Sequence, residues 1–495
     1  MPLLRKITSR FFIAMLTGSA LIGYCGVARI SRATGEEEST NLYTQYTATF
    51  LQKLDRLAGE CDQVGETMLA ERIRNWMPQR ESEKIYLFHP GPPATNESRQ
   101  SELEQKFQEL RFEQGEDLLE LSRRLATGGQ VTESVMVLSE AIYHAPHLAE
   151  ARHLLGYQKN GGRWITPEAE KQLAQGNIWS DQFGWLPADH LPRYQAGERY
   201  YNGRWISREK DARLHADIKR GWKIKTDHYE VTTNHSLEAG VQIALKLEKL
   251  YGVWWQVFAA YHLSPEDLKK MFSANGIPRR SFKRHKVVYF RDRKGYVLAL
   301  GRLQPGIENT WGFYFENRKT AYFYPEEKDS EKITLWHEAT HQLFSEMISS
   351  HKMARLKNNF WITEGIACFM ESLQPGANFS ALGGLQEGRL PAARERLEQT
   401  HFYIPFDRLL ALSGSDIQRN PDIQKLYTQM AGQATFLMVT GNGQYRPGVT
   451  DYLCAVYRGT ARPETLALKL GVRLVKLDSQ YRDFLLGRQT VRPEP

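Results

Sequence analysis

Residues 334–344 read TLWHEATHQLF, and this run restricts the fold more than any other part of the 495-residue chain. Side chains four apart stack on one face of an α-helix, so His337 and His341 can offer ring nitrogens to one ion while Glu338 points beside it. Zinc in a hydrolase keeps three protein ligands and leaves a fourth position for water, so a third donor must come from elsewhere. Residues 360–372, FWITEGIACFMES, supply one: Glu364 lies 23 residues after His341, at the start of a second helical pattern. Two antiparallel helices joined by the intervening connection bring its carboxylate opposite the histidines. Glu371, seven residues further and two turns along the same face, is placed to accept the free ring N–H of a ligand histidine and fix its tautomer. Cys368 is one turn from Glu364 and reads as a small buried apolar residue, because three ligands already suffice.

The helix carrying the histidines is expected to start at a cap on Asp329 or Ser330 and to turn Ile333, Trp336, Ala339, Leu343, Phe344 and Met347 towards the core. Before it, HYEVTTN reads as a strand, SLEAGVQIALKLEKLYGVWWQVFAAY as a long amphipathic helix and KVVYFRD as a second strand. TWGFYFENRKTAYFYP follows as a hairpin turning at Asn317. A sheet therefore leads into the histidine helix, an α+β order, and a strand of that hairpin is the natural edge for an extended peptide.

HEATH followed by WITEGIACFME resembles the gluzincin metallopeptidases, which carry HExxH and a downstream Glu in a Trp-x-x-Glu-Gly-x-Ala pattern. More closely, residues from about 226 to 455 resemble a peptidase-MA-like domain of exported bacterial proteins. The resemblance implies a thermolysin- or aminopeptidase-like zincin domain over 225–490, zinc held by His337, His341 and Glu364, and Glu338 as general base. Glu371 matches the aminopeptidase-like branch, whereas thermolysin has an acidic residue where Cys368 stands. Relatives also carry a tyrosine some sixty residues past the Glu ligand to stabilise the oxyanion, which points to Tyr427, 63 residues past Glu364. The glycine that usually follows such a tyrosine closely comes later here, at Gly432. GFYFEN at 312–317 is one residue longer than the Gly-x-Met-Glu-Asn of the aminopeptidases and lacks its methionine, so exopeptidase action is not implied.

The rest of the chain reads as scaffold. Residues 36–155 form a helical N-terminal region, with Leu42, Tyr46, Phe50, Leu54 and Leu57 at helical spacing and FHPGPPATNESRQ as an exposed linker. Ala141–Tyr157 resembles half of a tetratricopeptide unit, with a plain helical hairpin as the alternative. Residues 156–222 hold a tandem repeat: NGGRWITPEAEKQ and YNGRWISREKDAR share Gly-Arg-Trp-Ile, with Trp164 and Trp205 41 residues apart as anchors and Thr166 and Ser207 as helix caps. Residues 1–28 look like an export signal, basic residues before an 18-residue apolar run from Phe11 to Ala28 and small residues at its end. That places the protein in the periplasm or at the cell surface, and leaves anchoring through residues 11–28 open.

Three cysteines after that segment make no disulfide framework. The formal charge of +8 is spread among 57 acidic residues, and RRSFKRHKVVYFRDRK at 279–294 reads as a strand with solvated basic flanks, so no nucleic-acid partner is expected. The expected partner is a peptide or protein substrate, with a protein partner on the helical region also open. The alternative to zinc-dependent hydrolysis of peptide bonds is a non-catalytic zinc-containing scaffold that works through its helical and Trp-repeat regions.

Overall fold

The computed structural model describes residues 41–90, 101–274, 283–325, 330–348 and 359–488. Residues 11–28, Asp329, Arg279 and Arg280 lie outside that set, and the side chain of Ser330 is not described. Among the described residues no helix is long and apolar enough to cross a membrane. Two compact units divide the chain, residues 1–77 with 91–151 and residues 78–90 with 152–495.

The first unit contains α1 (residues 41–63), α2 (Thr67–Arg74), α3 (Glu102–Thr127) and α4 (Val131–His144). Phe50, Leu54 and Leu57 are buried at the spacing that made α1 legible. Ser101 caps α3 by accepting from the Glu104 N–H at 3.2 Å. Ser122 and Ser134 clasp α3 to α4, each hydroxyl donating to the other's backbone carbonyl at 2.8 Å. This pair is a helical hairpin, and the tetratricopeptide-like segment is cut by the boundary between Ala151 and Arg152.

The second unit opens with β1 (Lys84–Phe88), a strand that sequence patterning did not single out. Three small antiparallel hairpins follow: β2 (Gln158–Asn160) with β3 (Arg163–Ile165), β4 (Asn177–Ser180) with β5 (Gly184–Pro187), and β6 (Glu198–Tyr201) with β7 (Arg204–Ser207). The repeat is therefore threefold, with Trp164, Trp185 and Trp205 spaced by 21 and 20 residues. Gly162 and Gly203 take φ of 82° and 79° in the turns of the outer copies, and Gly184 takes 76° as the first residue of β5, a left-handed conformation that glycine adopts without a Cβ clash. The middle copy escaped notice because Phe-Gly-Trp-Leu at 183–186 replaces Gly-Arg-Trp-Ile, and Pro187 stands where Thr166 and Ser207 cap their helices at 3.2 and 3.3 Å. The repeat tryptophans Trp164 and Trp205 are half-buried: Trp205 packs on His190 at 4.8 Å and under the Arg193 guanidinium at 4.0 Å, and Trp164 on His153 at 5.0 Å.

Beyond the hairpins come β8 (Trp222–Lys225), β9 (Tyr229–Thr233), α5 (Leu237–Val257), β10 (His285–Tyr289), β11 (Gly312–Phe315), β12 (Thr320–Phe323) and α6 (Ser330–Met347). The five strands form one mixed sheet in the order β11-β12-β10-β9-β8, with β10 parallel to both neighbours and the outer pairs antiparallel. β11 is an edge. Tyr229, Val231 and Thr233 alternate inward along β9, and α5 meets α6 through Trp254 and Phe258 against Phe344, at ring distances of 5.3 and 4.9 Å. Trp336, Ala339, Leu343 and Phe344 of α6 are buried, but Ile333 is 43% exposed and Met347 half-buried; Leu335 fills the first buried position instead. Basic side chains flanking β10 are engaged within the fold, Arg284 with Glu168 at 2.8 Å and buried His285 with Glu346 at 2.9 Å.

The chain continues through α7 (Phe360–Met370), β13 (Gln374–Pro375), β14 (Phe379–Gly383), α8 (Leu390–Thr400) and α9 (Ile423–Gly443). Every residue of α7 is buried, as its nearly all-apolar sequence requires. β1, β14 and β13 make a second, three-stranded antiparallel sheet, so a strand from before the repeats is paired to one almost 300 residues later.

Candidate metal centre

α6 and α7 bring the three expected donors together. His337 Nε2 lies 3.2 Å from His341 Nε2 and 3.3 Å from Glu364 Oε2, and His341 Nε2 lies 3.4 Å from Glu364 Oε1. Ligand atoms about 2.0–2.1 Å from a tetrahedral zinc stand roughly 3.3 Å from one another, and these separations, with a different Glu364 oxygen facing each ring, are of that size. Of Glu338, Glu364 and Glu371, it is Glu371 that pairs with a guanidinium, that of Arg389.

Close helix packing makes the convergence possible. A Cβ on Gly365 would lie 2.8 Å from the Met430 carbonyl oxygen and 3.2 Å from the Ala434 Cβ, so glycine lets α7 and α9 approach to backbone contact. That approach seats Tyr427 of α9 beside Glu364. The phenol oxygen accepts from Gln418 Nε2 at 3.0 Å, and burial, followed by the Glu364 charge, pushes its pKa well above the ordinary phenol value. Tyr427 therefore stays a neutral O–H donor at the edge of the three-donor cluster.

Glu371, the C-cap of α7, accepts from His337 Nδ1 at 2.8 Å. That bond assigns the proton of neutral His337 to Nδ1 and leaves Nε2 with its lone pair towards the cluster. Arg389 holds the same carboxylate side-on, Nε to Oε2 at 2.7 Å and Nη2 to Oε1 at 2.8 Å. Burial opposes ionisation of Glu371 and Glu364, but hydrogen bonds from His337 and Arg389 hold the first below the ordinary carboxylate range. The neighbouring His341 and His337 rings hold the second well below it. Glu338 goes the other way: burial raises its pKa, tempered by the two histidines, and the Tyr314 N–H of β11 donates to its Oε2 at 2.9 Å.

A second donor set overlaps the first: His337, Cys368 and Glu371 also lie close enough to share an ion. It suits a cation less well. The Cys368 sulfur is 4.0 Å from His337 Nδ1, burial and the Glu371 charge push the thiol up to about 11, and Arg389 already occupies the Glu371 carboxylate.

Four side chains around the centre had no signal in the sequence. Arg389 precedes a helix marked only by Pro391. Gln418 is an exposed polar residue on a short helix, bonded to the Tyr427 hydroxyl at 3.0 Å. Tyr314 and Glu346 join β11 to α6 through a 3.2 Å phenol–carboxylate hydrogen bond, and Gln342 Nε2 donates to the same oxygen at 3.0 Å. Glu346 is one turn past Gln342, so helical spacing alone would align those two, but nothing local announces Tyr314. No family model matches the chain, and no curated protein matches it.

Proposed function

We propose that this chain is a zinc-dependent hydrolase of peptide bonds, an exported metallopeptidase of gluzincin type whose catalytic domain spans residues 225–490. The observation that carries this reading is the set of 3.2, 3.3 and 3.4 Å separations among His337, His341 and Glu364. The apolar run of residues 11–28 supports export, with retention at the membrane through that segment as the second outcome.

A zinc ion held by these three residues would supply a Lewis acid for the substrate carbonyl and lower the pKa of a bound water to about 7. Glu338 stands beside the donors, and burial raises its affinity for a proton, which suits a group that takes a proton at its carboxylate and passes it to the leaving amine. Tyr427, kept protonated, donates its hydroxyl hydrogen to the oxyanion. β11 has one ladder neighbour, β12, and offers its other edge to an extended peptide. The Tyr314 N–H on that edge already touches Glu338, so a substrate paired there would run past the proton acceptor.

The test is Glu338→Gln. This variant should retain one zinc per chain and lose turnover of a peptide library by about 10²- to 10⁴-fold. Proteolysis at the wild-type rate by the zinc-loaded variant would refute the base assignment, and wild-type protein that binds zinc but cleaves no peptide would favour the scaffold reading.

A further inference from the structure

We infer that Arg389 is a positioning residue of the metal centre, setting zinc affinity through Glu371 and His337 without touching the ion; the inference rests on the zinc reading above. The path is continuous. Arg389 grips both Glu371 oxygens at 2.7 and 2.8 Å, and Glu371 Oε1 receives the His337 Nδ1 hydrogen at 2.8 Å. The Glu371 side chain is only 3% exposed, so its carboxylate depends on these two partners for its hydrogen bonds and on Arg389 for charge balance. With the guanidinium removed, the Glu371 carboxylate loses both hydrogen bonds that fix its plane, and the His337 ring it holds at Nδ1 becomes a less firmly oriented ligand.

The fold delivers Arg389 to this spot from another segment. At the end of β14, the Gly383 N–H donates to the Ser372 hydroxyl oxygen at 2.9 Å, and that hydroxyl donates to the Phe369 carbonyl at 2.6 Å, binding the start of the loop to the end of α7. The loop then runs over Ser372 at Gly388 and ends at Arg389, the residue preceding α8. Its guanidinium also lies 5.8 Å from the Tyr427 ring, so one side chain borders both the histidine support and the oxyanion tyrosine. A planar fork suits this place and an ammonium does not, because only the fork spans both carboxylate oxygens.

The experiment is zinc affinity by chelator competition on the full chain, for wild type, Arg389→Met, Arg389→Lys, Glu371→Gln and the Arg389→Met/Glu371→Gln double variant. Arg389→Met and Glu371→Gln should each weaken zinc binding by about 10- to 100-fold, the range typical of outer partners of metal ligands. The double variant should be no weaker than the weaker single variant, because both act through one carboxylate. Arg389→Lys, which keeps the charge and folds where the methionine variant does not, should fall between wild type and Glu371→Gln. Affinity within twofold of wild type in Arg389→Lys and Arg389→Met, or losses that multiply in the double variant, would overturn the inference while leaving the zinc reading intact. Wild-type protein that takes up no zinc would overturn both.

Discussion

The metal centre and the hairpin repeats both announce themselves in the sequence by spacing, yet they use their side chains in opposite ways. The histidine pair at four residues is one part of a cluster whose other members come from β11, α7, the loop before α8, and α9. Glu364 and Glu371, at 7% and 8% exposure, are buried acids satisfied by residues far away in sequence. The tryptophans at 20- and 21-residue spacing find their partners within their own or an adjoining segment, Trp205 on His190 and Arg193, Trp179 against Trp185 at 5.5 Å. Repetition marks a unit that folds by itself. Buried charge drawn from several segments marks a place where the fold carries a cost that only a function repays.

If that contrast is sound, the largest effects belong to the convergent region. Tyr427→Phe should lower kcat by about 10²- to 10³-fold on a peptide substrate, with zinc content and KM little changed. A variant with full kcat would remove Tyr427 from the oxyanion side. Acid should strike next, at the three-stranded sheet beneath the Arg389 loop. His89 contacts the buried Ser380 hydroxyl of β14 at 2.8 Å, and burial, with Lys249 nearby, pulls its pKa down to about 4. Against about 6.5 in the unfolded chain, the unfolded state binds more protons between those values, so stability falls as pH drops from about 6.5 to 4. The loss attached to this one group is about 2–3 kcal/mol, and His89→Gln should flatten that part of the urea-midpoint profile. An unchanged profile would show that acid sensitivity lies elsewhere. The smallest effect belongs to the repeats: Trp205→Ala should cost about 1–2 kcal/mol of stability by urea unfolding and leave zinc affinity and kcat within twofold. A tenfold loss of turnover there would break the contrast and make the hairpins part of substrate recognition.

What the sequence made legible follows the same division. The helices bearing His337, Glu364 and Glu371, the strands around β9 and β10, and the hairpin of β11 with β12 show a periodicity that local residues determine. β1 was invisible because KIYLF is a short apolar run whose partner, β14, is almost 300 residues away. The middle hairpin was hidden by changed residues and a turn one residue longer, although Trp185 keeps the register position of Trp164 and Trp205. Arg389 and Tyr314 could not be singled out from spacing, since an arginine before a helix and a tyrosine in a strand are ordinary; only the partner each meets, Glu371 or Glu338 with Glu346, gives them a role.

The central claim is that one ion is shared by two imidazoles and the Glu364 carboxylate, and X-ray absorption at the zinc edge of the loaded protein tests it most directly. The account predicts one zinc per chain in a shell of nitrogen and oxygen only, at about 2.0–2.1 Å, with the multiple-scattering signature of two imidazoles that persists in Cys368→Ala. A sulfur scatterer at about 2.3 Å that disappears in Cys368→Ala would contradict it and move the ion to the His337, Cys368 and Glu371 set.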